Sequence, residues 1–166
     1  MVEVVRPSDW NRNSNFQEAL SYDDLLLVPQ YSDILSRKEV SLTQDLDEAI
    51  KLDLPIFSSP MDTITEDRMA LAMHEAGGMG IIHRYNTINE QVALVRKVFK
   101  TDPDTRVGAA IGVTGDYFER AMALCETGVT LLCLDVAHGH HKLVKKALLE
   151  LKNTFAESVH VMAGNV

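Results

Sequence analysis

The sequence predicts an α/β protein built on a parallel sheet, and two patterns support this class. Five short apolar runs recur along the chain, about 25 residues apart, and continuous apolar runs are typical of strands buried on both faces. The four segments between them carry apolar residues at helical spacing, so each repeat holds one strand and one crossover helix. Such an alternation fits either a small doubly wound domain or part of a larger barrel.

The predicted strands follow an N-terminal part with a different pattern. Residues 1–19 form a polar arm, and the apolar run 25–28 stops at Pro29, which predicts a short strand ending there. Residues 31–54 mix charged and turn residues, which predicts short strands or loops. The five predicted strands of the sheet are residues 56–59, 79–83, 107–112, 131–135 and 160–165.

Helix start signals precede the apolar stripes of the intervening segments. Thr63 with Glu66, and Thr87 with Glu90, have the spacing of a capping box. In that motif the threonine side chain caps the start of the helix, and the glutamate side chain bonds back to the threonine. Asp116 can cap a third helix, and an apolar stripe opposite a row of lysines predicts a fourth.

The composition is that of an ordinary globular protein, and it narrows the classes of partner. The chain has 166 residues, 46% of them hydrophobic, and a formal net charge of −8. Nucleic-acid-binding domains usually carry a basic surface, so we expect no nucleic-acid partner. No apolar run approaches the ~20 residues that cross a bilayer, and the first twenty residues lack the apolar centre of a signal peptide. We expect a cytoplasmic protein that does not contact a membrane.

Small and polar residues follow every predicted strand, where parallel α/β folds bind their ligands. These strand ends read Ser58-Ser59-Pro60-Met61-Asp62, His83-Arg84, Gly112-Val113-Thr114-Gly115, Asp135-Val136-Ala137-His138-Gly139 and Gly164-Asn165. Because the carboxyl ends of parallel strands share one edge, we expect hydroxyls, one carboxylate and one amide to converge there. That set suits hydrogen bonding to a polar ring or a sugar, and it contains no obvious nucleophile.

Several of these residues also have a structural interpretation. Asp135 can cap the following helix, and Asn165 can be a turn residue. The histidines at 138, 140 and 141 fit a loop that enters a helix, and no cysteine or paired carboxylate lies near them at ligand spacing. We therefore expect no metal site. Cys125 and Cys133 lie inside apolar segments and are predicted to be buried structural thiols.

Taken together, six strings resemble the family of inosine-5′-monophosphate dehydrogenase and its relative GMP reductase. They occur in the family's order and cover nearly everything from Leu20 onward. The strings are Leu20-Ser21-Tyr22-Asp23-Asp24-Leu25-Leu26-Leu27-Val28-Pro29, Ser58-Ser59-Pro60-Met61-Asp62-Thr63-Ile64-Thr65-Glu66, Gly77-Gly78-Met79-Gly80-Ile81-Ile82-His83, Arg106-Val107-Gly108-Ala109-Ala110-Ile111-Gly112, Asp135-Val136-Ala137-His138-Gly139-His140 and Ala163-Gly164-Asn165-Val166.

The resemblance implies a (β/α)8 TIM barrel assembled as a homotetramer, of which residues 20–166 are the N-terminal part. By the same resemblance, Ser59 and Met61 line the pocket for the purine nucleotide, IMP or GMP. Asn165 is then expected near the purine and the reacting centre.

The resemblance also implies a dinucleotide site. Asp135 is expected to face the nicotinamide ribose, with Ala137 beside it. Val113 and Thr114 occupy the loop that approaches the adenosine side of the cofactor. The cofactor is NAD for a dehydrogenase and NADP for a reductase.

In the dehydrogenases that this chain resembles, a cysteine attacks the purine C2, hydride leaves to NAD, and water releases XMP. In the reductases, ammonia leaves GMP and NADPH delivers hydride to give IMP. Residues 58–63 and 137–140 resemble the dehydrogenases more, whereas residues 135–137 and 162–166 lean toward the reductases. We favour the dehydrogenase.

The sequence departs from the family pattern in two ways. Only residues 101–105 stand where most of the dehydrogenases carry a pair of regulatory CBS modules, so we expect no CBS module. The family's catalytic cysteine loop, with its monovalent-cation site, lies beyond position 166. We therefore expect residues 1–166 to be inactive alone, either as a non-catalytic half-barrel fragment or as one that needs a complementing C-terminal half-barrel chain.

Overall fold

A computed structural model describes residues 20–46 and 50–165 of the chain, excluding the side chain of residue 157. The chain divides into two compact units, Met1–Ser41 and Leu42–Val166. The predicted polar arm, residues 1–19, lies outside the described residues. Among the described residues, no helix has both the length and the apolar character required to cross a membrane.

In the first unit, residues 20–41 are mostly irregular. They contain two short 3₁₀ turns, Tyr22–Asp24 and Arg37–Glu39. The strand predicted for residues 25–28 is wrong, because this segment has no strand structure. An apolar run becomes a strand only where a neighbouring strand takes up its backbone hydrogen bonds, and residues 20–41 provide none.

The second unit contains a five-stranded parallel sheet preceded by a small antiparallel hairpin. The hairpin consists of β1 (Gln44–Asp45) and β2 (Lys51–Leu52), which confirms the short strands expected before residue 54. The sheet strands are β3 (Phe57–Ser58), β4 (Met79–Ile82), β5 (Val107–Ile111), β6 (Leu131–Asp135) and β7 (His160–Gly164). All four pairings between neighbouring strands are parallel.

The strand order decides between the two architectures that the pattern left open. Each strand pairs with the one before it in the chain, giving the order β3-β4-β5-β6-β7. A doubly wound sheet reverses its strand order at a switch point, whereas a (β/α)8 barrel adds strands in one direction. The second unit is therefore part of a (β/α)8 barrel, with five parallel strands and four helices.

Four helices connect the five strands. They are α1 (Asp67–Glu75), α2 (Ile88–Thr101), α3 (Tyr117–Cys125) and α4 (Lys142–Phe155). The capping box at Thr87 is confirmed, because Thr87 Oγ1 accepts from the Glu90 amide while the Glu90 carboxylate accepts from the Thr87 amide. The hydrogen bonds that the Glu90 carboxylate accepts from the Thr87 amide and hydroxyl lower the pKa of the Glu90 carboxyl. The box at Thr63 is wrong, because α1 begins later, after Glu66 as its N-cap.

Alternate residues of the strands pack into two separate apolar clusters. The outer cluster lies between the sheet and the helices and includes Ile82 and Leu132 of the strands with Val95 of α2. The inner cluster joins residues such as Ile81 to the hairpin. Its members are Ile50, Leu52, Met79, Ile81, Ala110, Leu131 and Cys133. Since Met79 and Leu131 begin their strands, the hairpin covers the amino-terminal end of the inner face.

Candidate functional site

The predicted site residues lie at the carboxyl ends of the strands, which we call the rim. Ser59 directly follows β3, Val113 follows β5 by two positions, and Asn165 directly follows β7. Asp135 is the last residue of β6. The others are Met61 and Thr114, which follow Ser59 and Val113, and Ala137 after Asp135. All are exposed except Val113 and Asp135, which are half-buried.

Thr65 anchors the loop that carries Ser59 and Met61. Its side chain is fully buried, its hydroxyl donates to the Ser59 carbonyl at 2.6 Å, and its Oγ1 lies 2.8 Å from Ser58 Oγ. The Met61 amide donates to the Ser59 carbonyl at 2.8 Å, and the Thr65 amide donates to Met61. The Met61 main chain is therefore held in a tight turn, and its side chain is 50% exposed. The sequence pattern assigned a capping box to Thr63 and Glu66 and missed this role of Thr65.

Asp135 is paired with Arg84, a rim residue from another strand end. The Arg84 Nη2 donates to the Asp135 carbonyl at 3.0 Å, and Nε lies 3.5 Å from Asp135 Oδ2. The alternative role of Asp135 as a helix cap is excluded, because His141 is the N-cap of α4 and its Nδ1 accepts from the Leu143 amide. The Asp135 carboxylate is thus a half-buried acceptor group at the rim.

Asn165 is joined to the loop after β6 by main-chain hydrogen bonds. The Asn165 amide donates to the Val136 carbonyl at 2.8 Å, and the Gly139 amide donates to the Asn165 carbonyl. The peptide bond between Gly164 and Asn165 is cis. Parallel pairing between β6 and β7 therefore continues past the strands. It brings Asn165 beside the Asp135–Ala137 segment, whereas Ser59 and Met61 lie at the opposite edge strand of the sheet.

A buried polar network lies among the helices just beneath the rim. Arg120 of α3 is 5% exposed and donates to Gln91 Oε1 (2.8 Å), the Asn86 carbonyl (2.9 Å) and Asp116 Oδ2 (2.8 Å). Fully buried Gln91 donates in turn to the main-chain carbonyls of Ile82 and Ala110. Asn86 and Asp116 belong to the loops after β4 and β5, so Arg120 fixes both loops against the sheet.

His83 also lies at the rim but faces the loops outside the sheet. It is 3% exposed, and its Nδ1 accepts from the Tyr85 amide at 3.1 Å, so Nε2 carries the ring hydrogen. Nε2 is 3.4 Å from Glu66 Oε1. The residues that the structure describes contain no group of three or more His, Cys, Asp or Glu able to hold a metal ion.

Comparison with known proteins decides the family. The family model described as IMP dehydrogenase / GMP reductase domain matches residues 19–166. The chain belongs to this family. The inosine-5′-monophosphate dehydrogenase of Cryptosporidium parvum is 36% identical over 92% of this chain and 47% of its own length. That of Borreliella burgdorferi is 30% identical over 93% of this chain and 50% of its own. The chain spans about half the length of these curated relatives.

Shorter stretches are more similar to relatives of both kinds. A GMP reductase of Leishmania donovani is 51% identical over 81 residues, which are 49% of this chain and 16% of that protein. The IMP dehydrogenase / GMP reductase family has a (β/α)8 barrel fold, and the consecutive order of five strands agrees with it.

Neither cysteine has the environment of an activated nucleophile. Burial raises the pKa of the Cys125 thiol to about 11. Burial, with a smaller effect of the Asp135 charge, raises the pKa of the Cys133 thiol to about 11. Since the thiolate is the reactive form, neither group is activated at neutral pH. Cys133 is buried as predicted, whereas Cys125 is half-buried.

Proposed function

We propose that this chain forms the N-terminal part of an IMP dehydrogenase, which oxidises IMP to XMP with NAD in guanine nucleotide biosynthesis. The relatives that match nearly the whole chain carry the name inosine-5′-monophosphate dehydrogenase. The observation that carries the proposal is the half-buried Asp135 carboxylate at the end of β6, followed by a segment whose main chain is hydrogen-bonded to Asn165. A carboxylate accepts hydrogen bonds from the two hydroxyls of a ribose, as a dinucleotide site requires.

Substrate binding is assigned to Ser59, Met61 and Asn165. The buried Thr65 hydroxyl bonds to the Ser59 carbonyl, and main-chain bonds join Met61 to Ser59 and Thr65, so the loop has a defined conformation at the rim. The Asn165 amide side chain offers both a donor and an acceptor to a purine ring. IMP is the proposed substrate.

Cofactor binding is assigned to Asp135, Ala137, Val113 and Thr114. Ala137 follows the carboxylate and leaves the rim open for the nicotinamide riboside, because its side chain is small. Val113 and Thr114 follow β5, the strand next to β6. When bound, NAD supplies the hydride acceptor.

The nucleophile is proposed to come from the C-terminal half of the complete barrel, together with a monovalent-cation site. The raised thiol pKa values of Cys125 and Cys133 support this assignment, since the reaction needs a thiolate. Residues 1–166 alone are therefore proposed to turn over neither IMP nor GMP. For the complete protein we also propose a homotetramer, which the family resemblance alone supports, and a cytoplasmic location.

A second candidate is GMP reductase, which converts GMP to IMP with NADPH. The 51% identity to the Leishmania donovani enzyme over half of this chain favours it. That match covers only 16% of the relative, whereas the matches to the dehydrogenases extend over nearly all of this chain. We therefore place the reductase second.

The experiment is reconstitution of the chain with a C-terminal half-barrel from a family member. We expect NAD reduction at 340 nm that requires IMP and both polypeptides. NADPH oxidation that requires GMP would instead identify a reductase. A correctly folded pair with neither activity would overturn both and favour a non-catalytic half-barrel. Turnover by the rigorously pure chain alone would refute the assignment of the nucleophile to the second half.

A further inference from the structure

The Arg84 side chain connects the ends of three neighbouring strands. Arg84 follows β4, its guanidinium reaches Asp135 at the end of β6, and Gly112 lies between them after β5. A Cβ atom at Gly112 would lie 3.6 Å from Arg84 Nη1 and 3.9 Å from Cζ. The guanidinium therefore crosses directly over Gly112, and a side chain larger than alanine at that position would meet it.

Three contacts restrain this guanidinium. Nη2 donates to the Asp135 carbonyl at 3.0 Å, and Nε lies 3.5 Å from Asp135 Oδ2. Cζ lies 5.4 Å from the centre of the Tyr85 ring, within the range of a cation–π contact. Nε is buried and makes no hydrogen bond with the described residues. Because a guanidinium is planar and rigid, the main-chain bond and the ring together fix where Nε meets the carboxylate.

We propose that Arg84 is a positioning residue for the dinucleotide site. It holds the Asp135 carboxylate and its carbonyl so that the remaining carboxylate lone pairs point toward the ribose hydroxyls. This inference rests on the proposed function, since it assumes that Asp135 accepts hydrogen bonds from the cofactor ribose. Arg84 then acts through Asp135 and does not touch the cofactor.

Stability alone does not account for this pair. The side chains of Arg84 and Asp135 are 31% and 22% exposed, and partly exposed ion pairs contribute little to folding. A change at Arg84 should therefore leave the fold intact. The larger effect is expected on dinucleotide affinity, because a carboxylate that moves by one rotamer no longer presents both oxygens to the ribose.

The first test is a double-mutant cycle on NAD binding by the 166-residue chain reconstituted with the C-terminal half-barrel. NAD is titrated into wild type, Arg84→Gln, Asp135→Asn and the double variant, with amide chemical shifts as the readout. We expect Arg84→Gln to weaken binding about tenfold, and the double variant to bind no more weakly than Asp135→Asn alone. Arg84→Lys keeps the charge but loses the planar fork and should bind nearly as weakly as Arg84→Gln. Arg96→Gln, at an exposed arginine of α2, is the matched control.

The second test needs no ligand. Hydrogen exchange of the Val136 and Asn165 amides reports on the main-chain bonds that join them to Gly164 and Val136. We expect Arg84→Gln to speed exchange at both amides several-fold and Arg96→Gln to leave it unchanged.

The outcomes distinguish a failure of the positioning role of Arg84 from a failure of the proposed cofactor site. Additive effects of the two substitutions on NAD affinity would mean that Arg84 contacts NAD itself. An unchanged NAD affinity in Arg84→Gln would mean that Arg84 plays no part in binding. Either result overturns the positioning role. No NAD binding by wild type, or no effect of Asp135→Asn, would overturn the proposed cofactor site instead. In that case the exchange rates alone decide whether Arg84 holds the Asp135 segment, and unchanged rates would reject it.

Discussion

Two arginine–aspartate pairs at opposite ends of the sheet are built alike. At the rim, Arg84 donates to the main-chain carbonyl of Asp135 and lies against its carboxylate. At the amino-terminal end, Arg106 donates to the Lys51 carbonyl at 2.8 Å and lies 3.4 Å from Asp53 Oδ2. In both, Nε is buried and makes no hydrogen bond with the described residues.

The pairs differ in what the arginine holds. Arg106 binds the end of the β1–β2 hairpin, and Asp53 is 69% exposed, so water already solvates that carboxylate. Arg84 binds a carboxylate that is 22% exposed and lies at the strand end where this fold binds ligands. The same arrangement therefore holds the hairpin at one end of the sheet and is proposed to orient a functional group at the other.

The largest effect on stability is expected at Arg120, whose buried hydrogen bonds hold the loops after β4 and β5. Replacing Arg120 by methionine leaves Gln91, Asn86 and Asp116 without their shared donor. We expect the free energy of unfolding in urea to fall by about 3 kcal/mol. Arg96→Met, on the exposed face of α2, should change it by less than about 0.5 kcal/mol. Equal effects of the two changes would show that the buried network does not support the loops.

Removing the carboxylate of each arginine–aspartate pair tests the difference between the two pairs most directly. In the reconstituted enzyme, Asp135→Ala should raise the KM for NAD about 10- to 100-fold, since it would remove the charge-assisted hydrogen bonds proposed with the ribose. The KM for IMP should change far less. Asp53→Ala, which removes the carboxylate of the other pair, should leave both KM values unchanged. An equal rise in both variants would contradict a special role for the rim pair.

A smaller effect is expected from the arginine at the amino-terminal end. Arg106→Met removes the bond to the Lys51 carbonyl, and the unfolding free energy should fall by about 1 kcal/mol. Exchange of the Leu46 amide, which donates to Ile50 across the hairpin, should quicken. Exchange at Val136 should stay as in wild type. Faster exchange at Val136 would mean that the two ends of the sheet are coupled.

The smallest effect concerns the Cys133 thiol. Its pKa is raised to about 11 by burial and, to a lesser degree, by the Asp135 charge. Asp135→Asn should lower that pKa but leave it above the usual range, whereas Asp53→Asn should not move it. The pKa of the Cys133 thiol is higher in the folded state than in the unfolded state. Its contribution to the stability of the fold is therefore fully present below the unfolded pKa and is lost as the pH rises toward 11. The Cys133 Cβ chemical shift, followed across pH, measures the pKa.

Most of the secondary structure was predictable because strands buried on both faces leave continuous apolar runs. The strand predicted for residues 25–28 is absent, since the same apolar signal forms a strand only beside a partner. The capping box at Thr63 was wrong and the buried role of Thr65 was missed, because a capping threonine and a buried threonine look alike in sequence. The positions of Asp135 and Asn165 at the rim followed from the strand ends.

Long-range side-chain partners escaped prediction. Arg84 and Asp135 lie 51 positions apart, so no local pattern could pair them. Arg120 and Asp116 have the spacing of an exposed helical ion pair, which hid the burial of Arg120. Polar groups that are placed by tertiary packing leave no periodic signal.

The consecutive order of the strands also governs how the sheet can form. Paired residues of neighbouring strands lie between 22 and 29 positions apart, as in Phe57 with Met79 and Leu131 with His160. Closing such short loops costs little entropy, and mostly local contacts favour fast folding. A chain leaving the ribosome can therefore add one strand and one helix at a time to an edge that already exists. Assembly of this sheet can proceed in the order of synthesis.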